Sequence, residues 1–308
     1  MPLAPEYQAM LAELAAADGP AIADLSPAEG RELYRLMRPL DPEAPVVQVA
    51  DRSIPGPGGA LAVRVYTPEG PGPFPVYVNF HGGGWVIGDL DTADTVCRGI
   101  ATTAGCVVVS VDYRLAPEHR FPAAVEDAFA ATAWVAGHMA ELNGNGRLAV
   151  GGESAGSNLA AVVCQQARDR NGPAIDFQLL LYPVTDCDLD RASYRENGNG
   201  YLLELNTMRW FWDHYCPDPA ERQSPQASPL RAADLSGLPP ALVVTAEFDP
   251  LRDEGEAYAA ALAAAGTPAE AIRYDGLVHD FFATARMFPC SRAGFDHACE
   301  ALRTALAR

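Results

Sequence analysis

The feature that most constrains this chain is an alternation. From about residue 75 onward, short apolar runs ("PVYVNF", "CVVVSVDY", "RLAVGG", "FQLLLYP", "ALVVTAEFD", "AEAIRYDG") are separated by stretches of helical length. The helical stretches lie near 91–104, 122–141, 154–170 and 251–265, with a last one near 291–307. Strands that read as continuously apolar must be covered on both faces, and strands alternating with helices pair in parallel. The expectation is an α/β fold, a mostly parallel central sheet with helices on both faces. Upstream, "VVQVADRSI" and "LAVRVYTP" flank the turn "PGPGG" and predict an antiparallel hairpin. No shift of composition and no internal repeat divides the 308 residues, so a single domain over 1–308 is expected.

Two segments stand outside the alternation. The first forty residues read as two amphipathic helices. Tyr7, Met10, Leu11 and Leu14 follow the i, i+3, i+4, i+7 spacing of one apolar face. The second helix opens at "SPAE", where Ser26 can cap it, Pro27 suits its first position and Glu29 completes a capping box. Leu33, Leu36, Met37 and Leu40 then share one side. The other segment, residues 185–225, separates two core strands by far more than a crossover needs. It contains "MRWFWDHY", helical in length and apolar on most sides. About 1–45 and 185–225 together predict a helical cap over the C-terminal edge of the sheet, where open α/β folds bind ligands. Met208 and Trp212 either face a substrate there or serve as plain core.

Composition removes several chemistries. A formal charge of −18 argues against nucleic acid or an anionic membrane surface as a partner. All 22 basic residues are arginine, which excludes Schiff-base lysines, Ser–Lys dyads and the P-loop lysine. Seven cysteines, an odd number with no C-x-x-C pair, read as free thiols in a reducing compartment. "MPLAPEYQAMLAEL" lacks the basic and uninterrupted apolar regions of a secretory signal, and no run approaches the ~20 apolar residues that span a bilayer. A cytoplasmic protein is expected. No H-E-x-x-H or similar cluster calls for a metal.

The chemistry centres on "VGGESAGSN". Gly152-Glu153-Ser154-Ala155-Gly156 fits G-x-S-x-G, and it lies between a strand-like run and a helical one, the setting a nucleophile elbow requires. A serine hydroxyl needs a base to take its proton and an acid to orient that base. Of six histidines, His279 in "GLVHDFF" stands near the chain end, where the order Ser…Asp/Glu…His puts the base. Asp249, at the end of "ALVVTAEFD", stands where the acid belongs, though a helix N-cap is the commoner role there. The run "NFHGGGWVIGD" can bend to aim backbone N–H groups at a developing oxyanion, with Gly83, Gly84 and Ala155 as donors. A phosphate cradle is the rival reading, without the lysine or the G-x-G-x-x-G register it would need.

These motifs together resemble the hormone-sensitive-lipase-like carboxylesterases (bacterial family IV) of the α/β-hydrolase fold. "HGGGW", "DYRLAPEHRFPAAVEDA", "GESAGSNLA", "YPVTD", "EFDPLRDEGEAYAAAL" and "GLVHDFF" follow that family's order over roughly residues 60–285. The resemblance implies carboxylic ester hydrolysis through an acyl-enzyme, with nucleophile Ser154, acid Asp249, base His279 and oxyanion-hole amides at Gly83, Gly84 and Ala155. It implies that His81 supports the glycine loop, and that the two inserted segments form the cap. No cofactor or metal is needed. The partner is a small-molecule ester, with a homodimer as a possible assembly. Bulky Trp85, Met208 and Trp212 near the expected mouth suggest short- to medium-chain acyl groups. Two positions depart from the family's habit: Glu153 where aspartate is common, and Ser157 where glycine is. A non-catalytic receptor on the same scaffold and an arylformamidase-like amidase are the alternative functions.

Overall fold

The structure, a computed structural model, describes residues 1–308 apart from Asp18, Val46 and Arg308. Val46, in the first expected strand, and Asp18, in the expected N-terminal cap, thus lie outside the described residues. One sheet holds the strands β1 (Gln48–Gly56), β2 (Gly59–Thr67), β3 (Phe74–Phe80), β4 (Val107–Val111), β5 (Gly144–Glu153), β6 (Phe177–Leu181), β7 (Ala241–Phe248) and β8 (Ala269–Val278). Their spatial order is β1-β2-β4-β3-β5-β6-β7-β8. The expected hairpin is β1–β2, with Gly56 opposite Gly59 at its tip. β2 also runs antiparallel to β4, and every later pairing is parallel.

The helices are α1 (Pro5–Ala17), α2 (Pro27–Met37), α3 (Asp94–Ile100), α4 (Ala123–Gly137), α5 (Ala155–Asp169), α6 (Ala192–Asn197), α7 (Leu205–Tyr215), α8 (Pro219–Arg222), α9 (Arg252–Ala264) and α10 (Pro289–Leu306). Strand side chains alternate between two cores, as their period of two requires. Val76, Val78 and Phe80 of β3 pack toward α4 and α5 on one face, in a core that α9 joins over β7 and β8. Tyr77 of β3 and Val108 of β4 meet α3 and α10 on the other. Both faces are thus buried, which is why the strands read as unbroken apolar runs.

The two inserted segments touch each other, since α7 packs on the short turn Ile22–Asp24 that precedes α2. The capping box of α2 is formed: Ser26 Oγ accepts from the Glu29 N–H at 3.3 Å, and Glu29 Oε2 accepts from the Ser26 N–H at 3.0 Å. The expected apolar stripe of α2 faces inward only in part: Leu33 is half-buried and Met37 borders a cavity, but the stripe is otherwise largely exposed. Leu36, Met37 and Leu40 are 77%, 42% and 57% exposed, while Gly30 and Tyr34 are buried. The helix is rolled by its arginines. Arg31 donates to the Val86 and Ala116 carbonyls and pairs with Glu118, Arg35 pairs with Asp89, and Arg38 reaches inward. Among the described residues, no helix is long and apolar enough to cross a membrane.

Candidate active site

Parallel strands deliver their chemistry at one edge. Ser154, Asp249 and His279 each stand one residue beyond the C-terminal end of a strand, β5, β7 and β8 respectively. The glycine loop begins at His81, directly after β3, and Tyr182 follows β6 in the same way. β3, β5, β6, β7 and β8 are consecutive neighbours in the sheet, so these ends converge.

Ser154 is the single residue between β5 and α5, at φ 55° and ψ −115°. A non-glycine residue there is strained, and strain of this kind persists only where the surroundings impose it. The flanking glycines show what imposes it. A Cβ on Gly152 would lie 2.1 Å from the Phe80 carbonyl oxygen, and one on Gly156 would lie 1.9 Å from it. The turn is pressed against β3, and only residues without side chains fit on either side. Ser157 is a different serine. Its Oγ donates to the Gly152 carbonyl at 2.5 Å and accepts from the Leu181 N–H at 2.8 Å, so it fastens the elbow to β6.

His279 Nδ1 donates to Asp249 Oδ2 at 2.7 Å. Asp249 is fully buried, and its other oxygen accepts the Leu251 N–H at 2.8 Å. Asp249 is not the N-cap of α9, a position held by Leu251 without a side-chain cap; one of its oxygens instead closes the turn before the helix and the other holds the imidazole. Neighbouring acids are engaged elsewhere. Glu247 pairs with the N-terminal amine, Asp253 with Arg252, and Asp280 with Arg38. Burial disfavours the charged imidazole. The Asp249 carboxylate, through its charge and its hydrogen bond, outweighs burial and sets the net His279 shift upward from the ordinary histidine value. With Nδ1 committed to Asp249, Nε2 is the nitrogen free to accept a proton.

The glycine loop bends back on itself, the Gly83 carbonyl accepting from the N–H groups of Val86 at 3.1 Å and Ile87 at 2.9 Å. Gly83 and Gly84 have φ of 109° and 57°, and a Cβ on Gly84 would sit 2.1 Å from the Phe211 ring. His81 stacks on Tyr113 at 4.2 Å and holds the Gly82 carbonyl through Nδ1 at 2.7 Å. Its burial pushes its pKa down, which keeps it a neutral strut. Ala155 opens α5, where an N–H has no partner within the helix and the dipole favours negative charge.

Ser154, His279, Gly82, Gly83 and Gly84 line one cavity of about 70 Å³, closed by Ile22, Tyr34, Ile87, Leu203, Thr207 and Phe211 among others. A wider groove of about 520 Å³ adjoins it across Tyr34, Met37, Leu202 and Asp280. Trp85, Met208 and Trp212 do not line this cavity. All three are buried in the core, with Trp85 stacked on Tyr215 at 4.2 Å and against Trp212 at 4.9 Å. On α7 the cavity face carries Thr207 and Phe211, each one residue before Met208 and Trp212, and one residue rotates a helix face by about 100°.

Sequence reasoning missed a buried ionic group beneath the site. The Arg38 guanidinium pairs with Glu153 at 3.0 Å and with Asp280, and Tyr182 donates to the same Glu153 oxygen at 2.7 Å. The only signal for Tyr182 was a polar aromatic closing an apolar strand beside the elbow. Arg38 carried none beyond ending a capped helix.

The fold defines the class, an α/β hydrolase. The family model of the alpha/beta hydrolase fold matches residues 77–283. The chain is 50% identical over 270 residues to the carboxylic ester hydrolase LipN of Mycobacterium tuberculosis, covering 85% of this chain and 72% of that protein. It is 40% identical to an ethyl acetate hydrolase of Pseudomonas putida, over 80% of this chain and 79% of the other. Among solved structures, a thermostable esterase from Pseudomonas putida superposes with a TM-score of 0.95 at 41% identity, covering 99% of this chain and 98% of that one. The chain belongs to the hormone-sensitive-lipase-like (bacterial family IV) carboxylesterases of the α/β-hydrolase fold.

Proposed function

We propose that this protein hydrolyses short- to medium-chain acyl esters through an acyl-enzyme on Ser154. The observation that carries this reading is the buried Asp249–His279 pair, held at 2.7 Å and opening onto the same cavity as the strained Ser154. In the first step His279 Nε2 takes the Ser154 proton as Oγ attacks the ester carbonyl. Asp249 keeps the ring in the required tautomer and stabilises the imidazolium. The oxyanion is received by the N–H groups of Gly83, Gly84 and Ala155, which are fixed before the charge appears. The imidazolium then protonates the leaving alkoxide, and water repeats the sequence to release the acid. Substrate-positioning roles pass from Trp85, Met208 and Trp212 to Thr207, Leu203 and Phe211, with the three core side chains backing them.

The small apolar cavity supports short acyl groups, and the inserted segments 1–45 and 185–225 supply its roof as a cap. All seven cysteines are free thiols, which supports a reducing, cytoplasmic setting. The test is a series of p-nitrophenyl esters from acetate to palmitate, beside Ser154→Ala. Expected is a kcat/KM maximum at short or medium chains and loss of turnover in the variant. A maximum on long chains, with interface-activated turnover of emulsified triglyceride, contradicts the acyl range. Full turnover by Ser154→Ala contradicts the mechanism.

A further inference from the structure

We propose that Arg38, carried in from the N-terminal cap segment, is a positioning residue that clamps the residue before the nucleophile to the residue after the base. Its side chain is 6% exposed; it is absent from the lining of the small catalytic cavity and lines the wider groove beside it. Nη2 meets Glu153 Oε1 at 3.0 Å and Nη1 meets Glu153 Oε2 at 3.3 Å. On its other side Nε donates to Asp280 Oδ2 at 3.2 Å and Nη2 to Asp280 Oδ1. One planar guanidinium thus joins the chain at positions 153 and 280, the immediate neighbours of Ser154 and His279. The Tyr34 ring packs 5.2 Å from the guanidinium carbon.

The clamp reaches the imidazole by a second route. Tyr182 donates to Glu153 at 2.7 Å, and its ring stands edge-on to His279 at 4.8 Å. Glu153, Tyr182 and Asp280 surround the base, and Arg38 is the cation common to both carboxylates. Glu153 is fully buried, so its charge is tolerated only because it is paired and hydrogen-bonded. The elbow and the His279 loop belong to strands β5 and β8, which are not neighbours in the sheet. Nothing in the ladder fixes the distance between them as directly as this bridge does. Folding the cap segment onto the sheet would therefore complete the alignment of Ser154 with His279. A guanidinium suits the task because its fork bonds two carboxylates in fixed geometry, which an ammonium cannot.

The inference rests on the esterase reading, and wild-type turnover of p-nitrophenyl butyrate decides that reading independently. The variants are Arg38→Lys, Arg38→Met and the charge-balanced Arg38→Met/Asp280→Asn, each checked by circular dichroism and thermal unfolding. Displacements near 1 Å at a reacting centre cost up to about a hundredfold in rate. Arg38→Lys, which keeps the charge, is expected to stay folded and lose about tenfold in kcat with KM within twofold to threefold. The balanced double variant is expected to recover the unfolding temperature lost in Arg38→Met while its kcat stays ten- to a hundredfold low. If kcat returns together with stability, or if folded Arg38→Lys keeps the wild-type kcat, Arg38 serves stability alone and the proposal is overturned. Arg286→Met supplies the comparison, since Arg286 also ties down the N-terminal segment, through Asp41 and the Glu43 carbonyl, but touches none of Glu153, Asp280 and the glycine loop. A kcat loss there equal to that of Arg38→Lys overturns the proposal as well.

Discussion

Asp249→Asn is the perturbation whose outcome follows most closely from the geometry. The two carboxylate oxygens of Asp249 each accept one hydrogen bond, from His279 Nδ1 at 2.7 Å and from the Leu251 N–H at 2.8 Å. An asparagine offers one acceptor and one donor group in nearly the same volume. If its oxygen stays on the Leu251 amide, its NH₂ faces His279 and the ring must present an unprotonated Nδ1. The proton then sits on Nε2, which can no longer take one from Ser154. If the amide turns over, its NH₂ faces the Leu251 N–H, and two buried donors oppose each other at a cost of about 1–3 kcal/mol. The first arrangement is therefore favoured, and it holds the wrong tautomer. Loss of the acid in such triads lowers kcat by about 10⁴-fold, or about 5.5 kcal/mol of barrier. A second signature follows from the sign of the pKa shift. Burial lowers the His279 pKa and Asp249 raises it to a net upward shift, so removing the carboxylate leaves burial in control. The acid limb of the residual activity should move to lower pH. The assay is kcat across pH 5–9 for both proteins, with folding checked by circular dichroism. A folded variant within tenfold of wild type, or one whose acid limb stays in place, refutes the reasoning.

Further outcomes are expected from the same geometry. Because His279 must be neutral to accept a proton and its pKa is raised, wild-type kcat/KM should climb with pH through a midpoint above about 6.5, and a plateau already reached at pH 5.5 would contradict this. Gly84→Ala places a Cβ against the Phe211 ring at a φ of 57°, so the loop must move, and kcat should fall about 10²-fold in a folded protein. An unchanged kcat there removes the loop from the mechanism. Treatment with EDTA should leave ester hydrolysis unchanged, whereas loss restored by one divalent ion would assign the chemistry to a metal.

The sheet and the elbow were legible because both rest on local, repeated signals. The apolar runs mark strands buried on two faces, and the small residues around Ser154 mark a turn pressed against β3. The capping box of α2 was legible for the same reason. Orientation of the cap helices was not. The run "MRWFWDHY" is apolar on most sides, so sequence alone could not decide whether Phe211 or Trp212 faces the cavity. In α2 the apolar stripe suggested burial of Leu36 and Leu40, yet three arginines with distant acidic partners set the roll of the helix. Such ion pairs join residues 54 to 115 positions apart, as Arg35 with Asp89 and Arg38 with Glu153 do, and leave no periodic trace. The same distance hid the role of Glu153, which looked only like a departure from an aspartate. Ser157, the other departure, could not be read as a bridge to β6 without knowing that β6 lies beside β5.

The central claim is a covalent acyl group on Ser154, and it can be observed directly. With p-nitrophenyl acetate in excess, the enzyme is quenched in acid during steady turnover and digested with trypsin. Cleavage at arginine releases residues 148–168, which carry both Ser154 and Ser157. Tandem mass spectrometry is expected to find one acetyl group on this peptide, placed on Ser154, and to find it enriched in the His279→Ala variant if deacylation is slowed more than acylation. An acetyl group on Ser157 or on another peptide, formed and lost at the rate of turnover, would contradict the assignment of the nucleophile.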